Sequence, residues 1–162
     1  QGAQPIISYN YGAKDAQRVQ AAFRLLLKIS LIYSVLLWVM VLCFPQIFAA
    51  IFTTDKALMA FTAKALRIYL AVLFLFGIQI ACQMAFNALG RAVESIVVAV
   101  MRKFVLLIPL IYILPQIFRR DQTFAVYLAE PVADTIAVTF TAVLFFFRFR
   151  KALSSIEEKQ DA

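Results

Sequence analysis

Residues 122–147 read QTFAVYLAEPVADTIAVTFTAVLFFF, and the only charges in that run are Glu130 and Asp134. The two acids sit one helical turn apart, so they share a face. The run is otherwise apolar enough to span a bilayer. A charged side chain at that depth costs at least about 2.5–3.5 kcal/mol on insertion. Such groups persist where they face a protein interior or a wet cavity, pairing there or carrying ions and protons. This pair is the strongest pointer to function in the chain.

The composition supports a membrane setting for that run. Of 162 residues, 64% are hydrophobic and 15% charged, with sixteen Phe, six Tyr, a single Trp and four Gly. The mean hydropathy is +0.85. Soluble domains hold about 45–50% apolar and about 25% charged residues. The chain therefore reads as an integral membrane protein. Its net charge of +7 follows from basic residues flanking spans. No basic stripe interleaves with aromatics as single-strand binders require, so nucleic acid is excluded as a partner. Cys43 and Cys82 lie far apart in apolar runs with no CxxC, and there is no His. Neither a zinc site nor redox chemistry is indicated, and no cofactor is expected. There is no initiator Met or signal peptide, and the opening at Gln1 predicts a piece of a longer protein.

Three further apolar runs precede the last. Residues 29–54 form an uncharged run of 26, and residues 68–90 one of 23. At 1.5 Å per residue even the shorter reaches about 34 Å, against a hydrocarbon core of about 30 Å. A third run, 95–118, carries Arg102 and Lys103 near its start, and 122–147 is the fourth. The expected fold class is all-α: a polytopic transmembrane helix bundle of four full spans, preceded by the end of a fifth helix at 1–12 and a basic, amphipathic connector at 13–28. The tail, 148–162, begins with Arg148, Arg150 and Lys151, and is polar and expected to be disordered from Ser154. Eleven basic residues fall on one side of this topology and five on the other. The richer side is predicted to be cytoplasmic, which puts both ends of the chain there.

Polar residues inside the spans mark candidate surfaces. Gln79, Gln83 and Asn87 recur every four residues and share one helix face. They serve either as interhelical hydrogen-bonding contacts or as a face toward a substrate cavity. Pro45, Pro109 and Pro131 punctuate three spans. Pro109 frees a backbone carbonyl and kinks its helix. Pro131 frees the carbonyl of Tyr127 beside Glu130, either as a plain kink or as part of an ion site of the kind transporters build on loosened backbone. Arg102 and Lys103 are expected to snorkel to the cytoplasmic headgroups; the alternative is an ion pair with an acid on a neighbouring helix. Glu130 and Asp134 enter from the opposite side of the membrane, so depth alone does not favour that contact. The acids either brace helix contacts near the outer interface or, with Thr141 on the same face, supply hard oxygen ligands for a proton or hydrated cation.

The opening segment QGAQPIISYNYGAK, residues 1–14, followed by Arg18 and Val19, resembles the turn ending the eighth helix of multidrug and toxic compound extrusion (MATE) transporters. NALGR at 87–91, Arg102, and AEPVAD at 129–134 fit in order after it. The resemblance implies the carboxyl-terminal lobe of such a protein: half of a twelve-helix transporter, holding the end of helix eight and all of helices nine to twelve. It implies a missing amino-terminal lobe as partner, a bacterial inner-membrane location, and export of small cationic or amphipathic compounds by alternating access. Transport would be coupled to sodium ion or proton entry. Some branches carry a coupling carboxylate on the tenth helix, but here that helix bears Gln79, Gln83 and Asn87 and no acid. That leaves Glu130, Asp134 and Thr141, or the missing lobe, for coupling.

Other readings differ in what they require. A lipid-linked oligosaccharide flippase of related architecture would line its cavity with several Arg or Lys to hold pyrophosphate. A membrane-embedded enzyme would need a nucleophile–base pair or metal triad at span depth; only Glu130 with Asp134 could do acid–base work, and no enzyme is expected. A non-transport membrane subunit would leave the polar faces as packing.

Overall fold

The computed structural model describes residues 2–157. α1 (Ala3–Gly12) ends in a tight turn in which Lys14 adopts a left-handed φ of 59°. Asp15 then caps α2 (Ala16–Cys43), its carboxylate accepting from the Arg18 amide at 2.9 Å. This satisfies one of the orphan donors at the helix start. The basic stretch 13–28 is thus mostly the first part of α2 rather than a separate connector. Its charges stand on the helix that becomes the first span.

Pro45 stops α2, because a residue preceding proline is pushed out of the helical region. Phe44 accordingly takes φ −126° and ψ 50°, and a short α3 (Pro45–Ala50) follows. The first long helix therefore ends at Cys43, well before Thr54. Asp55 caps α4 (Lys56–Tyr69) through the Ala57 and Leu58 amides. A single turn of tighter 3₁₀ helix at Leu73–Leu75 leads to α5 (Phe76–Ala88). The α4–α5 pair is bent by 47°. Residues 68–90 are therefore not one straight helix: they hold the end of α4, the bend and α5, a pair that forms either a broken span or a re-entrant loop.

Gly90, at φ +72°, ends α5 and lets the Arg91 amide reach the Phe86 carbonyl at 2.8 Å. The third span is α6 (Ala92–Val100), a π-wound stretch at Met101–Leu107, and α7 (Ile108–Ile117). The Ile108 amide donates to the Lys103 carbonyl, five residues back. Pro109 explains the looser winding: with no N–H of its own, it denies the Val105 carbonyl a helical donor. Asp121 caps α8 (Gln122–Glu157) through the Phe124 amide at 2.9 Å. α8 continues past the apolar run through residue 157, so the helix includes Ser154–Glu157 of the expected disordered tail; the rest of that tail lies outside the described residues.

Among the described residues three helices are long and apolar enough to cross a membrane, or four if the bent pair is one span. α8 is the most buried of them and packs on α4, α5 and α7, while α5 packs on α2 and α1. At one end Phe86, Phe145 and Phe149 join Ile7 and Val19 in the core. Phe23 packs on Phe145 and Phe149, with ring centroids 4.6 and 5.0 Å away. α2 and α5 nearly touch at Gly77, where an added Cβ would lie 2.6 Å from the Ser30 carbonyl oxygen and from Ser34 Oγ. Small residues at helix contacts permit this close approach in membranes.

Candidate functional site

The break between α4 and α5 leaves backbone carbonyls without helical donors, and α2 supplies them. Trp38 Nε1 donates to the Ala71 carbonyl at 2.8 Å, and Ser34 Oγ to that of Phe74 at 3.0 Å. Irregular backbone at membrane depth survives only where such groups find partners within the protein or a wet cavity. The two ends of the break, Tyr69 and Phe76, are held on either side of a small cleft. That cleft, about 140 Å³, is lined by Tyr69, Leu70, Leu73, Phe76, Arg102, Glu130 and Asp134.

Glu130 is buried there and Asp134 half-buried, and both are paired. Arg102 Nε donates to Asp134 Oδ1, and Arg102 Nη2 to Glu130 Oε1 at 3.3 Å. Lys103 Nζ donates to the same Glu130 oxygen at 3.1 Å. The side chains of Glu130, Asp134 and Arg102 are 8%, 14% and 15% exposed, whereas Lys103 is 49% exposed. The guanidinium carbon also lies 4.7 Å from the centre of the Phe76 ring, a cation–π contact. Tyr69 brings its phenol alongside Glu130.

The expectation that Arg102 snorkels to the headgroups is therefore corrected. Geometry gives the reason. At 1.5 Å per residue Arg102 lies about 15 Å from the start of its span at Ala92, and Asp134 about 18 Å from Gln122. The two spans run antiparallel through a short link, and the third, with 26 residues, is about 39 Å long. The acid and the base thus stand within about 6 Å of the same level, inside the reach of an arginine side chain. The π-wound stretch that carries Arg102 and Lys103 helps aim both toward α8.

The other predicted residues are placed differently. Thr141 is fully buried, and its hydroxyl donates to the Ala137 carbonyl at 2.7 Å. It stands about 10 Å along the helix from Asp134 and does not line the cleft. Thr135 donates to the Pro131 carbonyl at 2.7 Å, so this hydroxyl also bonds back to the helix backbone. Gln79 is buried, with neither carboxamide atom hydrogen-bonded among the described residues; Gln83 is half-buried and Asn87 is exposed. A groove of about 390 Å³ between α2 and α5 is lined from α5 by Phe76, Gly77, Ile80 and Met84, not by the three amides. Among the described residues no group of three or more His, Cys, Asp or Glu gathers to hold a metal.

Sequence reasoning missed Tyr69 and Phe76. No Pro or Gly lies between Leu66 and Phe76 to announce the break. Counting both depths from the link the two spans share, about 24 Å for Arg102 and about 18 Å for Asp134, would have found its partner.

The cleft suits water, a proton or a small cation. One liquid water takes about 30 Å³, so about 140 Å³ holds only a few. Drug-sized ligands need pockets of about 300–1,000 Å³. With two acids and two bases the cluster is self-neutralised. It rewards entry of a further charge only if an internal pair opens.

The MatE family model matches residues 1–113. A protein from Shewanella oneidensis named as an FAD transporter is 31% identical over 106 residues, 65% of this chain and 24% of its own length. The MATE multidrug transporter DinF-BH, in a ligand-bound structure, superimposes with a TM-score of 0.81 and 33% identity, over 93% of this chain and 33% of that one. The inward-facing conformation of a multidrug resistance MATE family transporter of the MOP superfamily shares the fold, with a TM-score of 0.83 and 16% identity over 96% of this chain and 35% of that one. The chain spans about a quarter to a third of the length of these relatives. Glu130 and Asp134 lie beyond the stretch that the family model matches, on a helix that the superpositions include in their coverage of nearly the whole chain. With the family model matching well over half of its residues, the chain belongs to the MatE family of multidrug and toxic compound extrusion transporters, integral membrane proteins that move solutes rather than catalyse reactions.

Proposed function

We propose that this chain serves as the carboxyl-terminal lobe of a bacterial inner-membrane antiporter with both of its ends cytoplasmic. The antiporter exports small cationic or amphipathic compounds by alternating access in exchange for sodium ions or protons. Glu130 and Asp134 are its coupling acids in this lobe. The observation that carries the reading is the largely shielded Arg102–Glu130–Asp134 cluster where the bent α4–α5 pair meets the π-wound stretch. A charged group at such depth acts on an equilibrium between states only if its ligand binds them unequally. A joint that can bend supplies a structural difference for the ligand to act on.

The name of the Shewanella relative favours a second cargo, an anionic dinucleotide. Such a cargo needs cations to hold its phosphates, and Arg102 is already engaged by two acids here. One experiment separates the readings. The full-length protein is reconstituted into liposomes, and efflux of a cationic dye and of FAD is followed under imposed sodium and proton gradients. Dye efflux that needs one of the gradients supports the antiporter. Efflux of FAD alone, or efflux indifferent to both gradients, overturns it.

A further inference from the structure

The two acids of the cluster are not equivalent. Glu130 Oε1 accepts from Arg102 and from Lys103, whereas Asp134 is paired with Arg102 alone among the ion pairs of the described residues. If the guanidinium withdraws, Glu130 keeps a cation and Asp134 loses its only one. The guanidinium also has somewhere to go, since the Phe76 ring already lies under it at 4.7 Å. The groups facing Asp134 are few. Arg102 and Lys103 come from the π-wound stretch, Glu130 from its own helix and Tyr69 from α4, while α5 contributes Phe76, without charge.

We propose that Arg102 is a tethered competitor for the coupling ion: a proton or sodium ion occupies Asp134 only when the guanidinium leaves it, while Glu130 and Lys103 stay as a fixed pair. This rests on the reading of the two acids as the coupling site. The charge balance shows what the exchange does. The paired cluster, two acids with two bases, is neutral. With a proton or sodium ion on Asp134 and Arg102 released, it carries one net positive charge. In a medium of low dielectric a nearby cationic substrate is then repelled. When the ion departs, Arg102 returns to Asp134 and neutrality is restored. Ion entry and cation occupancy thus exclude one another through a charge the protein carries itself. Arg102 is a positioning residue in this scheme, acting through Asp134.

The test uses the full-length protein in proteoliposomes. Sodium is titrated at constant pH, and pH is titrated without sodium, to tell the two ions apart. Arg102→Gln removes the competitor, so the ion concentration for half-maximal dye efflux is expected to fall by about tenfold or more, given the strength of close charge pairs. Arg102→Lys keeps a competing cation and is expected to stay near the wild-type value. Should Arg102→Gln fail to assemble because Asp134 is left bare, Arg102→Gln/Asp134→Asn removes both charges and is expected to assemble and to lose its ion dependence. An ion-dependent wild type with an unchanged half-maximal concentration in Arg102→Gln overturns the proposal. So does a double variant that remains ion-dependent. A wild type with no ion dependence fails the antiporter reading instead.

Discussion

The indole of Trp38 donates its only proton to the carbonyl of Ala71 across 2.8 Å, in the middle of the break between α4 and α5. The same indole packs edge-on against Phe74, with ring centroids 5.1 Å apart. The first span thus splints the bend in the second. Trp38→Phe keeps the ring contact and removes the donor. Leaving a shielded carbonyl unpaired costs about 1–3 kcal/mol. The full-length protein in detergent is expected to lose thermal stability, with faster amide exchange confined to the segment around Leu70–Leu75. A variant as stable as wild type would show that the bend holds without the splint.

Gly77 marks the closest approach of α2 and α5. A methyl group there meets the Ser30 carbonyl and the Ser34 hydroxyl at 2.6 Å, too close for either to stay. Gly77→Ala is expected to force the helices apart at a cost of about 1–3 kcal/mol, read as a lower thermal midpoint. Adding Ser34→Ala should restore little, because the Ser30 contact is to backbone.

Pro109 holds the third span in its looser winding. Pro109→Ala returns a donor to the Val105 carbonyl and favours ordinary α-helix through Met101–Leu107. A helix that rewinds turns Arg102 away from Asp134. The expected outcome is loss of coupled efflux with unchanged or higher thermal stability. A variant with wild-type coupling would separate the π winding from the ion pairs.

Gln79 is 2% exposed, and both ends of its carboxamide lack partners among the described residues. An unpaired buried amide costs about 1–3 kcal/mol on the scale of protein substitutions. Gln79→Leu, similar in volume, is expected to leave efflux intact and to raise the thermal midpoint. A fall in stability would mean that the amide has a partner, such as an ordered water.

Much of the architecture is legible in the residues. Asp15, Asp55 and Asp121 stand where helices start, Pro45 where one stops, and Gly90 where a left-handed residue is needed. The isolated acids in an apolar run mark the site itself. The pairing with Arg102 was hidden because each depth was judged from the opposite end of its own span rather than from the link that the two spans share. The break at Leu70–Leu75 left no local signal, since its carbonyls are satisfied from α2, some 33 and 40 residues distant in sequence. Tertiary partners, not propensity, allow that irregularity. The carboxamide stripe drifts about 40° per step of four, so Asn87 stands about 80° round the helix from Gln79; Gln79 is buried and Asn87 exposed, although Asn87's neighbours Ala85, Phe86 and Ala88 are buried.

If Asp134 takes the coupling ion in this lobe, Asp134→Asn in the full-length protein removes the group that binds it. Gradient-driven efflux of a cationic dye is measured in liposomes beside Glu130→Gln. Asp134→Asn is expected to abolish the response to the imposed gradient, while Glu130→Gln weakens it and keeps its ion dependence. Undiminished gradient-driven efflux in Asp134→Asn, at equal protein per vesicle, would mean that the coupling ion binds elsewhere.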